Sequence, residues 1–185
     1  MLIRREREKL INTVIYFASN TNYCGKVKLF KLLYFLDFEH FKFAGRSVTG
    51  LDYFAWKMGP VPTELDEEID APEPDMAESL KFAMKPIRGG TQTMLQILSK
   101  KEFDPTHFSK REINLMEDLV EKYKDKMADD MIEATHLENL PWDQVYNKQG
   151  RVRQIIPYEL AIRSQEADLM SSVAKDHSEV VSSLS

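Results

Sequence analysis

The run from Lys26 to Phe43, KVKLFKLLYFLDFEHFKF, constrains this chain more than any other stretch. Laid out at about 100° per residue, Lys28, Lys31, Glu39 and Lys42 share one narrow polar stripe that Phe35 interrupts. Leu29, Phe30, Leu32, Leu33, Tyr34, Leu36, Phe38 and Phe41 occupy nearly everything else. A helix that is apolar over most of its circumference has to be covered on several sides. The chain therefore needs a fold in which other elements pack around a central helix at 26–43. With 185 residues, 43% of them apolar, it has the material for such a core.

The remaining elements follow from period and punctuation. A helix is predicted over 4–20, where Leu10, Val14 and Phe17 recur at helical spacing, and Asn20 to Gly25 break it. Leu51 to Lys57 alternates weakly and is rich in aromatics, which predicts a strand. Gly59-Pro60-Val61-Pro62 is expected to end that strand, because proline cannot donate to a ladder. Thr63 is expected to cap a short helix to Ile69, and Asp75 another as far as Met84. Gly89-Gly90, between Ile87 and the run 94–98, suggests a hairpin that would join 51–57 in one small sheet. Ser109 and Glu112 have the spacing of a capping box at the start of a helix over 110–126. Further helices are predicted over 128–139 and from Pro157. The expected class is α+β and predominantly helical, with six or seven helices around the central one and a small antiparallel β-sheet. Residues 1–170 would make one domain and 171–185 a flexible, Ser-rich tail.

Thirty acidic residues against 25 basic ones leave a formal charge of −5, so nucleic acid is not an expected partner. Cys24 is the only cysteine, which excludes an internal disulfide and fits a reducing, cytoplasmic setting. The start of the chain lacks the apolar core of a signal peptide. No window approaches the roughly 18 uninterrupted apolar residues of a spanning helix, and no membrane partner is expected. The four histidines (40, 107, 136 and 177) share no metal-binding spacing, and no phosphate-loop, dinucleotide or nucleophile-elbow motif occurs. Neither a metal nor a cofactor is expected.

Three groups of residues carry the functional reading. Asp37 projects opposite the lysine stripe, among Phe30, Leu33 and Phe41, where an unpaired carboxylate costs several kcal/mol. It is read as a structural anchor that takes hydrogen bonds from Arg46, a tyrosine or a helix start, ahead of a general acid or base. His136-Leu137-Glu138 with Pro141 is similar to the zinc-deaminase signature, but Trp142 stands where the first cysteine belongs and no cysteine follows. His136 is therefore read as an anchor of the Pro141-Trp142 turn. Tyr53, Phe54 and Trp56 beside Lys57 form an aromatic segment in which Phe54 is assigned to the core and Trp56 or Tyr53 to contact with a protein.

Lys28-Leu29-Phe30-Lys31-Leu32-Leu33-Tyr34-Phe35, Gly45-Arg46-Ser47-x-Thr49-Gly50 and Tyr53-x-Ala55-Trp56-x-x-Gly59-Pro60-Val61-Pro62 follow one another in the order found in the SocA-like antitoxins, or Panacea domains. His136 and Pro141-Trp142 resemble that family's closing element, and the resemblance runs from about residue 10 to about residue 145. It implies an antitoxin of a two-gene toxin–antitoxin system, associated with phage defence, which holds a toxin encoded nearby inactive by direct contact. It also implies a proteolytic adaptor that hands the toxin to a AAA+ protease. The candidate toxin-binding residues are Phe35, Arg46, Tyr53, Trp56 and Lys57, and the polar anchors are Asp37, His136 and Trp142. The expected protein is a monomeric or homodimeric binding module and not an enzyme. The alternatives are a small hydrolase-like enzyme using Asp37, His40 or His136, and a DNA-binding regulator. Partner specificity is expected in the stretch 70–108, the least family-like part.

Overall fold

The computed structural model describes residues 2–137 and 140–162. Among them are seven helices and two separate two-stranded antiparallel sheets, so the α+β, mostly helical class holds, though not as one sheet. The predicted tail, 171–185, lies outside the described residues.

The first helix, α1 (Leu2–Asn20), turns Leu10, Val14, Ile15 and Phe17 inward. The second, α2 (Lys26–Ala44), is the predicted hub, with twelve of its residues buried. It starts at Gly25, where a Cβ would lie 2.9 Å from Met94 Cε, and it stops at Gly45, whose left-handed backbone donates its N–H to Phe41 O. Elements from both halves of the chain pack against α2, as its apolar circumference requires.

The polar stripe is not a solvated one at its start. Lys28 and Lys31 are buried, not solvated. Lys28 Nζ donates to the carbonyls of Asn22, Lys124 and Lys126, each at 2.8 Å. It thus fastens the turn after α1 to the end of α5 (Lys110–Tyr123), where helix carbonyls lack intrahelical partners and attract a cation. Lys31 Nζ donates to Pro60 O at 2.9 Å. Lys42 alone keeps a surface ion pair, with Glu39.

The aromatic segment forms a hairpin of β1 (Phe54–Trp56) and β2 (Gly59–Val61), so the Gly-Pro-Val run does not end the strand but returns it. Ala55 donates its N–H to Gln154 O and its carbonyl accepts the Arg153 N–H, both facing away from β2. Its partner Pro60 consequently occupies a position whose missing N–H was not needed by the ladder.

Two short helices follow, α3 (Thr63–Asp70) and α4 (Pro74–Ser79). Thr63 is not a cap, since Pro62 holds that position without a side-chain bond. The helix expected from Asp75 to Met84 ends at Ser79. From Leu80 the chain is extended as β3 (Leu80–Ile87), which pairs along its whole length with β4 (Gln92–Ser99). Asp75 is drawn instead into a fork with Arg7, which also holds Glu68.

The capping box forms as predicted: Glu112 N–H donates to Ser109 Oγ and Ser109 N–H to the Glu112 carboxylate. The helix it opens, α5, is three residues shorter than expected. The next, α6 (Ala128–Thr135), stops well before residue 139. A last turn, α7 (Pro141–Asp143), runs into a wide π-type turn at Gln144–Lys148. In place of a helix from Pro157 there is a 3-10 turn, Tyr158–Ala161, whose tyrosine lies over Phe38 and Phe41 of α2. No helix of the described residues is long and apolar enough to cross a membrane.

Candidate functional site

Asp37 sits at the centre of a closed polar knot. Its Oδ1 accepts the N–H groups of Val48 and Thr49 at 2.8 and 2.9 Å, and its Oδ2 accepts the Tyr53 hydroxyl at 2.7 Å and that of Thr49. The knot ties α2 to the connection after it and to the residue leading into β1. Burial pushes the carboxyl up from its ordinary range, while the four donors pull the other way. Burial and the Asp37 charge likewise push the Tyr53 phenol far up, so it stays a donor. Arg46 is not a partner of Asp37. Its carbonyl is held by His40 Nδ1 at 2.8 Å, and its side chain is exposed.

Tyr53 is the clear correction among the predicted contact residues. With 0% exposure it offers nothing to a partner, and its hydroxyl is consumed by Asp37. Trp56 and Lys57 do come together, at the turn between β1 and β2, where Met58 joins them with half its surface exposed. Phe35 lies elsewhere. It stacks on Tyr123 at 5.3 Å and lines a groove of about 360 Å³ with Phe38, Pro141, Gln144 and Leu160.

The anchor pair His136 and Trp142 stands between these two places. Their rings stack at 3.8 Å and 8°, Tyr146 continues the stack, and Trp142 Nε1 donates to Trp56 O at 2.9 Å. The hairpin tip is thus held from below by Trp142, and from the side by Arg153, whose guanidinium lies 5.1 Å from the Trp56 ring centre. Beneath it, Lys31 is pushed down to about 7 by burial. His136 is also lowered, by burial and then by Lys31, and its Nε2 has no hydrogen-bond partner among the described residues. Gly59 makes this closeness feasible. Its φ is +96°, and a Cβ there would stand 2.8 Å from Lys31 Cε and Thr135 Oγ1.

The groups proposed for an enzyme occupy separate settings. Asp37 is enclosed by its four donors, His40 is pushed down by burial between the Arg46 carbonyl and Glu112, and His136 lies flat on Trp142. None of the three lines the groove. Cys24 is buried, and burial pushes its thiol up to about 11, which removes the thiolate that reactivity needs. Among the described residues one acidic trio, Glu68, Glu73 and Asp75, could converge on a cation, and Arg7 already occupies its centre.

Sequence reasoning missed the carbonyl-holding role of Lys28 and Lys31, and it missed Met58 and Arg153 at the hairpin tip. A lysine on an otherwise apolar helix was the available signal for the first two.

The described residues bring together a fastened core, a hairpin tip carrying Trp56 and a groove lined by both apolar and polar side chains. The chain belongs to the family of SocA-like antitoxins with a Panacea domain, whose model matches residues 29–143. The matched span opens in α2 and closes on the Trp142 turn, so it contains the knot, both hairpins and the stacked anchor. No curated protein and no solved structure matches the chain.

Proposed function

We propose that this protein is the antitoxin of a two-gene system and neutralises a cognate toxin, encoded nearby, by direct occlusion in the cytoplasm. It acts as a binding protein and not as an enzyme. The observation that carries this reading is the β1–β2 tip. Trp56, Lys57 and Met58 project from a turn whose backbone is held by Trp142, Lys31 and the residues 153–154. Trp56 is half-buried, and an aromatic already held on a rigid support loses little entropy on binding, which is how hot spots reach high affinity. Family membership supplies the class of partner. Handing the bound toxin to a AAA+ protease is a further step of the same proposal, and it needs no additional site for the occlusion itself.

The test is the affinity of the purified pair. Trp56→Ala should weaken toxin binding about tenfold or more while leaving the melting temperature within about 2 °C of wild type. An unchanged affinity in the well-folded variant would remove the tip from the interface.

A further inference from the structure

Among the described residues the hairpin of β3 and β4 has one covered edge and one bare edge. Ile97 N donates to Cys24 O at 2.9 Å and Gly25 bridges Gln96, so the outer edge of β4 is joined to the loop that starts α2. The same bond sets the phase of the ladder. In an antiparallel pair, residues alternate between those that bond to the partner strand and those whose N–H and C=O face away. Ile97 faces away from β3. Through the pairs Phe82↔Ile97 and Ala83↔Gln96, Ala83 and Lys85 bond to β4, while Phe82 and Met84 direct their backbone groups outward. Among the described residues no strand pairs with that edge, and neither Phe82 nor Met84 bonds to another element through its backbone.

Charge marks the same strand. From Ser79 to Lys101 the sequence holds five basic residues and no acidic one, whereas the rest of the chain carries ten more acidic than basic residues. Lys100 and Lys101 are occupied, by Ala77 O and by Glu78. Lys81 and Lys85 are exposed on one face of β3 and make no ion pair among the described residues. The opposite face descends into the body at Leu80 and Phe82 and emerges at Met84, which is 63% exposed.

We propose that the outer edge of β3 is a strand-addition site that receives an extended segment of the partner, acidic where it runs beside Lys81 and Lys85 and apolar where it runs beside Met84. Backbone bonds from Phe82 and Met84 supply the docking, and the lysines and Met84 supply the selection. The inference rests on the antitoxin reading for the identity of that partner, and it adds the mode of recognition. A second copy of this chain is disfavoured, because pairing two β3 edges brings Lys81 and Lys85 against their own kind. Pro86 has no N–H to offer and so limits the usable edge to its first part.

Two measurements on the full chain test this. In the first, amide exchange is followed by NMR with a peptide of about eight residues alternating glutamate and valine, and with its lysine counterpart. The glutamate peptide should slow exchange at Phe82 and Met84 and lose its effect in high salt, and the lysine peptide should do neither. Equal effects of both peptides, or no effect at those two amides, would overturn the proposal. So would their protection in the free protein through self-association, or equal protection by a mixed-sequence DNA strand at physiological salt.

The second measurement uses the toxin with Met84→Pro, which removes an outward N–H and the Met84 side chain but no N–H of the ladder to β4, and with the charge reversal Lys81→Glu/Lys85→Glu. Each should weaken binding about tenfold or more. If wild type and both variants bind the toxin equally, the strand-addition site is wrong and the antitoxin reading stands. If the glutamate peptide docks on β3 but no toxin binds the wild-type chain, the reading of function fails and the site survives.

Discussion

Lys28 and Lys31 on α2 and Lys81 and Lys85 on β3 share one chemistry and opposite settings. The first two are buried to 1% and hold backbone carbonyls that would otherwise be stranded. The second two are exposed and hold no carboxylate among the described residues. Around α2 the buried charged groups have named counterparts: Asp37 has four donors, Lys28 three acceptors and Glu112 both Lys9 and the Ser109 N–H. Among the described residues the hairpin of β3 and β4 leaves an edge, two charges and a methionine without one. The difference separates what specifies the fold from what is left to meet a partner, since buried polar groups without partners destabilise and exposed ones do not.

The largest effect that could break this comparison is at Asp37. Asp37→Ala would strand two buried amides and two hydroxyls and should lower stability by about 3–5 kcal/mol, read from urea unfolding. Asp37→Asn should recover part of that loss. An alanine variant within about 1 kcal/mol of wild type would mean the knot contributes little to the fold.

Next in size is a pH dependence. The native state favours a neutral Lys31 at about 7, whereas the unfolded lysine stays protonated to its ordinary 10.5. Unfolding therefore takes up a proton between those values, and stability should rise with pH across that window by up to about 1.4 kcal/mol per unit. Lys31→Met should remove this contribution, while Lys28, shifted in the same direction by burial, acts in both proteins. Equal slopes for the two proteins between about pH 7 and 9 would show that Lys31 is solvated after all.

The smallest effect sharpens the other side. Lys81→Glu/Lys85→Glu should change stability by less than about 0.5 kcal/mol in a thermal melt, because neither side chain holds anything in the fold. A loss above about 2 kcal/mol would tie those lysines to the structure and remove the contrast.

The same contrast explains what was legible in the sequence. The hub α2 was legible because a nearly continuous apolar surface has few alternative uses, and the capping box because its two bonds lie within four residues. Asp37 reads from the helical wheel as an enclosed carboxylate. Its donors do not, since Val48, Thr49 and Tyr53 are brought to it by a turn whose path is a tertiary matter. The wheel groups Lys28 and Lys31 in a polar stripe without showing that they are buried, because it records direction and not what a long side chain can reach. Strand β2 was hidden by Pro60, which the pairing phase tolerates, and β3 by Met, Ala and Lys, whose helix preference yields to pairing with β4. Tyr53 and Trp56 looked equivalent as aromatics of one segment, and only alternation about Ala55, with the Asp37 bond, separates the buried one from the presented one.

The central claim, an antitoxin that acts by direct contact, is tested most directly by co-expressing the chain with the product of the adjacent gene and scoring growth together with co-purification. The neighbour alone should arrest growth, the chain should restore it, and the two should purify as a stable complex. A neighbour that is harmless by itself, or one whose toxicity persists with this protein present and soluble, would contradict the claim.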